Sequence, residues 1–277
     1  MIVQSWHIIR RAVVKFFSDS GPFLASGLSF DLLLYCLPVP VLFVSVLGYT
    51  LIGSDQALKW AQAIIEQLLP GFQQPFLEML TVLISNRGFL GFTGFFLFFV
   101  FSTAVFSSAR HILNHVFKVE KARSFLKGKG DDFLLMLVLS LLIILLVLIS
   151  SVLGFLQSYG ENIPALKGVL SPIWYIVGKV FGFGCLGALF YLFYAFSTPA
   201  RLSQGSLLVG SLTGAGLFEA SKWAFSWYIQ FAQMLTAFYG VLSGFIFIFL
   251  WVYYASVVFI LGAEVGWECE RNKKGQP

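Results

Sequence analysis

Three ionisable side chains, Lys179, Glu219 and Lys222, stand inside stretches of this sequence that are otherwise apolar. An ionisable group at a bilayer centre costs about 2.5–3.5 kcal/mol on insertion scales, and groups retained there mark substrate or ion pathways. The stretch GLFEASKWAF (216–225) holds two of them three residues apart. Along helices rising 1.5 Å per residue, all three come to lie about 20–26 Å from one membrane boundary. A rotation of about 100° per residue sets Lys222 and Glu219 about 80° and 140° from Gly214. They flank the small-residue strip Ser206, Gly210, Gly214 and can face a cavity while the strip holds a neighbouring helix. Two ammonium groups against one carboxylate make a net positive site, suited to a lipid phosphate or a carboxylate. The competing reading is a structural Glu–Lys pair.

A second set, Asp31, Arg110, Arg201 and Glu264, falls at the ends of apolar runs. It is read either as a polar cluster at the cytoplasmic mouth or as interfacial snorkelling. Pro38 and Pro40 interrupt the first apolar run, removing two backbone donors and freeing carbonyls near Leu34 and Cys36. A helix kinked in this way can line a site, or it can simply be kinked.

Other chemistries find little support. His111 and His115 share a helix face in HILNH, but Ile112 stands where a zinc hydrolase of that pattern needs Glu. No third ligand lies nearby, so no metal site is expected. GVLSG (240–244) is not a G-x-S-x-G nucleophile turn. Cys36, Cys185 and Cys269 lie in different segments and offer no C-x-x-C or disulfide framework. Neither a catalytic residue nor a cofactor is expected.

The elements that must position these groups are membrane helices. Of 277 residues, 58% are hydrophobic and 11% charged, with a mean hydropathy of +0.86. A soluble domain carries about 25% charged residues. Runs long enough to cross a hydrocarbon core of about 30 Å lie at 28–53, 89–109, 133–156, 172–196, 205–227 and 240–265. None shows the two-residue alternation of a barrel strand. The expected fold is all-α, a single polytopic domain over 1–277 with six transmembrane helices. Further glycines, Gly178 and Gly182, make a G-x-x-x-G in the fourth span and are read as packing residues.

Basic residues crowd the N-terminal tail (Arg10, Arg11, Lys15), the second connection (Arg110 to Lys129) and the C-terminal tail (Arg271, Lys273, Lys274). Only Lys59, Arg87 and Lys167 lie in the connections of the other side. The positive-inside rule then puts both termini in the cytoplasm. The run KVEKARSFLKGKG (118–130) is thereby a topology signal, and it lacks the aromatic interleaving of a nucleic-acid platform. No nucleic-acid partner is expected despite the net charge of +5. The first apolar run lacks a small-residue cleavage site, so the N-terminus is expected to be retained.

Two amphipathic elements complete the outline. Residues 1–20 predict an interfacial helix with Trp6, Ile9, Val13, Phe16 and Phe17 on the lipid side and Arg11 and Lys15 opposite. Residues 54–88 predict an external helical hairpin broken at Pro70-Gly71, serving as a lid or as a packed cap.

Several segments resemble the YihY/virulence factor BrkB family of inner-membrane proteins: SFDLLLYCLP (29–38), SSARHILNHVFKVEK, FEASKW, and the last span FYGVLSGFIFIFLWVYYASVVFILGAEV. The resemblance covers nearly the whole chain and is most specific in the last span. Phe30, Asp31 and Phe218 depart from the family pattern. The resemblance implies a six-helix bundle in a bacterial inner membrane, and it places Asn114 on the family's motif Asn, beside the cytoplasmic-end cluster. Some members carry a ribonuclease label, which the histidines above do not support. The expected function is transport or translocation of an anionic, lipid-like amphiphile, with membrane lipids as partners and no enzymatic activity. A scaffold that organises envelope partners is the alternative.

Overall fold

Ser20 adopts a left-handed backbone conformation (φ 57°) and separates the first two helices. Its carbonyl accepts the amides of Phe23 and Leu24, which starts the second helix. Gly21 is required there, because a Cβ would lie 2.3 Å from the Phe16 ring and 2.5 Å from the Phe16 carbonyl. The computed structural model of the chain describes residues 2–38, 42, 87–119, 167–196, 202–239 and 241–275, with positions 130, 133–134, 136–138, 140–141 and 149. The elements are α1 (Ile2–Ser18), α2 (Gly21–Cys36), α3 (Arg87–Val116), α4 (Lys167–Phe196), α5 (Gln204–Tyr239) and α6 (Val241–Lys273). The described positions between 130 and 149 are helical too, and no strand occurs among the described residues. The hairpin expected over 54–88, except its last two residues, lies outside them, as do Pro40, Arg201 and most of the third expected span.

Among the described residues, three helices are long and apolar enough to cross a membrane: Gly91–Val116, Val177–Phe196 and Gly244–Lys273. They answer to the second, fourth and sixth expected spans. Gly21–Cys36 is a shorter apolar helix that begins seven residues ahead of the expected first span. The fifth segment differs more. It was expected to end near 227, yet α5 continues to Tyr239 without a break. QFAQMLTAFY contains neither Gly nor Pro, so nothing in its backbone chemistry stops the helix before Gly240.

The described chain forms two compact units, Met1–Phe30 with Phe106–Pro277, and Asp31–Val105. In the second unit Tyr35 of α2 packs on Phe98 of α3, ring centroids 5.0 Å apart. In the first unit α5 lies against α6 with backbone touching backbone. A Cβ on Gly210 would stand 2.8 Å from the Gly262 carbonyl and 3.0 Å from Gly266 Cα, and one on Gly262 would stand 3.0 Å from Gly214 Cα. The Ser206–Gly210–Gly214 strip is therefore a packing face, and its partner is Gly262 and Gly266. Tyr194 of α4 closes the joint. It is fully buried, and its hydroxyl donates to the Phe259 carbonyl at 2.7 Å.

The glycine pair of α4 behaves otherwise. A Cβ on Gly178 or Gly182 would meet no described atom within 4 Å, so this pair packs on none of the described helices. The edge of α4 that meets α5 runs instead through Gly187 and Phe190.

Helix α1 docks on α6 with an unexpected face. Ala12, Lys15 and Phe16 are buried, while Ile9, Val13 and Phe17 are exposed. The outward face keeps Ile9, Val13 and Phe17 of the expected lipid side, but Phe16, expected beside them, is packed inward. The polar side expected to face water holds Lys15, and that residue is packed against the bundle.

Candidate functional site

Two groups of charges occupy the first unit. The first is built where α1, α6 and the end of α3 meet. Lys15 Nζ donates to Glu264 Oε2 at 2.6 Å and to the Val116 carbonyl at 3.0 Å, and pairs with Asp19 Oδ2 at 2.8 Å. An ammonium group has three donors and no acceptor; two of them make these hydrogen bonds, and the Asp19 carboxylate adds a close ion pair. Lys15 and Glu264 are 8% and 1% exposed, which makes the pair one of the interior. Glu264 Oε1 has no hydrogen-bond partner among the described residues.

Neighbouring charges continue along the last turns of α6. Glu268 is buried and accepts from Arg271 at 3.1 Å. Glu270 accepts the Ser203 amide at 3.0 Å and pairs with Lys274 at 3.1 Å. Ser203 precedes α5, and its carbonyl and hydroxyl receive the amide of Ser206. A carboxylate is thus held at the positive end of the α5 dipole.

Asp19 lies in the turn outside the spans. Burial raises its pKa, but the hydrogen bond and charge of Lys15, with His115 and Lys118 nearby, outweigh that and hold it below its ordinary 3.8. Lys118 ends α3 in the left-handed region (φ 48°). The Lys118 and Val119 amides return to the His115 and Asn114 carbonyls, a Schellman-type stop that fixes where the Lys118 side chain leaves the helix.

The second group is the charged trio. Glu219 and Lys222 form an ion pair one turn apart on α5, with side chains 34% and 47% exposed. Lys179 of α4 places its ammonium group 5.2 Å from the centroid of the Trp223 ring. The packing of α4 on α5 therefore brings Lys179 to the turn that carries Glu219 and Lys222. All three lie at the surface of the unit, not in its core. On another face of α5, Phe225, Tyr228, Trp251 and Tyr254 line an aromatic cleft of about 500 Å3, with Phe225 and Trp251 centroids 4.9 Å apart. The trio does not line that cleft.

The remaining expected site residues are distributed as follows. Arg110 is buried and Asn114 half-buried near the end of α3. Asp31, also half-buried, belongs to the second unit. Pro38 is buried just past the end of α2, where the Leu37 amide bonds to the Leu34 carbonyl at 3.2 Å. His111 and His115 are exposed on α3. Among the described residues no group of three His, Cys, Asp or Glu side chains could hold a metal ion. Lys15, Asp19, Glu268 and Glu270 were not expected at a site. The only signal for them was that acidic and basic residues collect at the ends of α1 and α6.

Comparison with known proteins gives the chain a family. The family model described as Virulence factor BrkB matches residues 12–277. The chain is similar to a UPF0761 membrane protein of Pelodictyon phaeoclathratiforme, 27% identical over 251 residues, covering 90% of this chain and 57% of that one. A UPF0761 membrane protein of Legionella pneumophila is 24% identical over 264 residues, covering 94% and 61%. One of Pseudoalteromonas atlantica is 24% identical over 271 residues, covering 95% and 88%. The chain thus spans about 60% of the length of the first two relatives. No solved structure matches it. With a family model matched from Ala12 to the last residue, and apolar helices to go with it, the chain is a membrane protein of the virulence factor BrkB family.

Proposed function

We propose that the protein transports or translocates an anionic amphiphile across a bacterial inner membrane, with Lys179, Glu219 and Lys222 as its charged site. The observation that carries this reading is the arrangement of the trio. Glu219 is engaged by Lys222, while Lys179 rests on the Trp223 face one residue away. Two cations then stand near one carboxylate at the surface of the bundle, where lipid can approach from the side. A cation over an aromatic face is attracted by about 0.5–2 kcal/mol, less than a charge-assisted bond to a phosphate oxygen provides. An arriving anionic head group can therefore draw Lys179 from Trp223 while its acyl chains stay in the bilayer. In this reading both termini lie in the cytoplasm, and neither a catalytic step nor a soluble cofactor is invoked.

Purified protein reconstituted in vesicles tests this with two fluorescent lipids, phosphatidylglycerol and phosphatidylcholine. Wild-type protein should speed the crossing of phosphatidylglycerol selectively. The Lys179→Gln/Lys222→Gln variant should fold to the same yield and move it no faster than protein-free vesicles. Equal movement by wild type and variant would remove the trio from the mechanism. Wild-type protein that moved neither lipid would favour a scaffold over a transporter.

A further inference from the structure

A second cleft, of about 650 Å3, opens beside the Lys15–Glu264 pair. His7, Arg10 and Arg11 of α1, Lys118 beyond α3, and Glu268 and Arg271 of α6 line it. Lys15 and Asp19 also reach it, but they are spent on each other and on Glu264. Glu268 is matched by Arg271. Arg10, Arg11 and Lys118 remain, all exposed and in none of the close ion pairs above, with Lys118 also near Asp19. The walls come from three separate parts of the chain, so the positive charge is gathered by the fold and not by one basic run. Arginine forks suit the oxygens of a phosphate, which they can take two at a time.

We propose that this cleft binds the phosphate of an anionic lipid head group. Two observations favour a lipid over a free anion. The volume falls in the range of about 300–1,000 Å3 typical of small-molecule sites, far more room than one inorganic phosphate fills. The same helix turns Ile9, Val13 and Phe17 outward as an apolar stripe, next in sequence to Arg10 and Val14 of the cleft wall. A helix with that outward face lies where hydrocarbon gives way to head groups. The head group would enter between Arg10, Arg11 and Lys118, with its acyl chains along the stripe. This site is separate from the trio on α4 and α5, and it stands whether or not that trio carries transport.

The test uses full-length protein in phosphatidylcholine nanodiscs and calorimetric titration with three probes: dihexanoyl phosphatidic acid, dihexanoyl phosphatidylcholine and inorganic phosphate. The phosphatidic acid should bind, more weakly as salt rises, and the phosphatidylcholine should not. Arg10→Gln/Arg11→Gln should weaken binding about 10-fold or more, since each lost guanidinium removes charge-assisted bonds to the phosphate. Lys118→Gln, on a different element, should weaken it independently. These side chains are exposed, so the variants should keep the wild-type thermal midpoint; in a Lys179→Gln/Lys222→Gln background, which removes the trio as a second anion site, the cleft substitutions should weaken the remaining binding by the same factor. Inorganic phosphate binding as tightly as the short-chain lipid would overturn the lipid assignment. Undiminished binding in both cleft variants, or binding lost only in the trio variant, would overturn the cleft as the site.

Discussion

Lys15 Nζ of α1 lies 2.6 Å from Glu264 Oε2 of α6, across 249 residues of sequence. Removing one member of a buried ion pair leaves an uncompensated charge and costs about 3–5 kcal/mol, whereas replacing both by apolar groups of similar volume is often neutral. Lys15→Ala should therefore lower stability by about that amount. Lys15→Met/Glu264→Leu should recover most of the loss. Chemical denaturation in detergent measures both. A double variant as unstable as the single one would mean that the pair is not the anchor of α1.

The glycine contacts make an opposite pair of forecasts for one substitution. Gly210→Ala pushes a Cβ against the Gly262 carbonyl at 2.8 Å. Backbone cannot step aside as a side chain can, so α5 and α6 must separate, at a cost of about 1–3 kcal/mol. Gly178→Ala meets open space and should be neutral or stabilising by up to about 1 kcal/mol through helix propensity. Thermal midpoints of the two variants, compared side by side, check the assignment.

These contrasts show what could be read from residue order. The second, fourth and sixth spans were legible because twenty apolar residues in a row have few alternatives to a membrane helix. The strip of Ser206, Gly210 and Gly214 was legible, and so was the level at which Lys179 meets the turn of Lys222. Gly178 and Gly182 have the same spacing as a packing strip, and only the path of α4 past α5 shows that α5 does not pack on them. Lys15 was hidden for a physical reason. An amphipathic pattern tells which face is polar, and a polar face is assigned to water by default. Here the countercharge Glu264 draws that face inward, and nothing local to α1 announces it. Glu264 was picked out as a polar residue at a helix end, but its partner was not.

Acid should weaken the α1 anchor through Asp19. Its carboxyl titrates below the ordinary 3.8 because Lys15 favours the charged form. A folded pKa beneath the unfolded one contributes stability that is full above the unfolded value and is lost as pH falls through the folded value. The wild-type thermal midpoint should thus fall below about pH 4 more steeply than that of Asp19→Asn, with parallel profiles above pH 5. Parallel profiles throughout would show that the Asp19 contact contributes nothing.

Orientation can be read by labelling. In a background without Cys36, Cys185 and Cys269, Ser54→Cys should react with an impermeant maleimide on intact cells. Ser124→Cys, in the basic run 118–130, should react only after permeabilisation. Labelling of Ser124→Cys from outside would reverse the topology and place the basic cleft on the outer face.

The account turns on whether Lys179 and Lys222 receive an anionic head group. The most direct measurement is an experimental density map of the protein in nanodiscs that contain phosphatidylglycerol. The prediction is an elongated lipid density with its head beside the two ammonium groups and the Glu219 carboxylate, and its tails in the hydrocarbon layer. The contrary result is a map in which both ammonium groups reach out to bulk water over a closed apolar bundle, with no density between α4 and α5. The charges would then be membrane anchors, and the transport reading would lose its site.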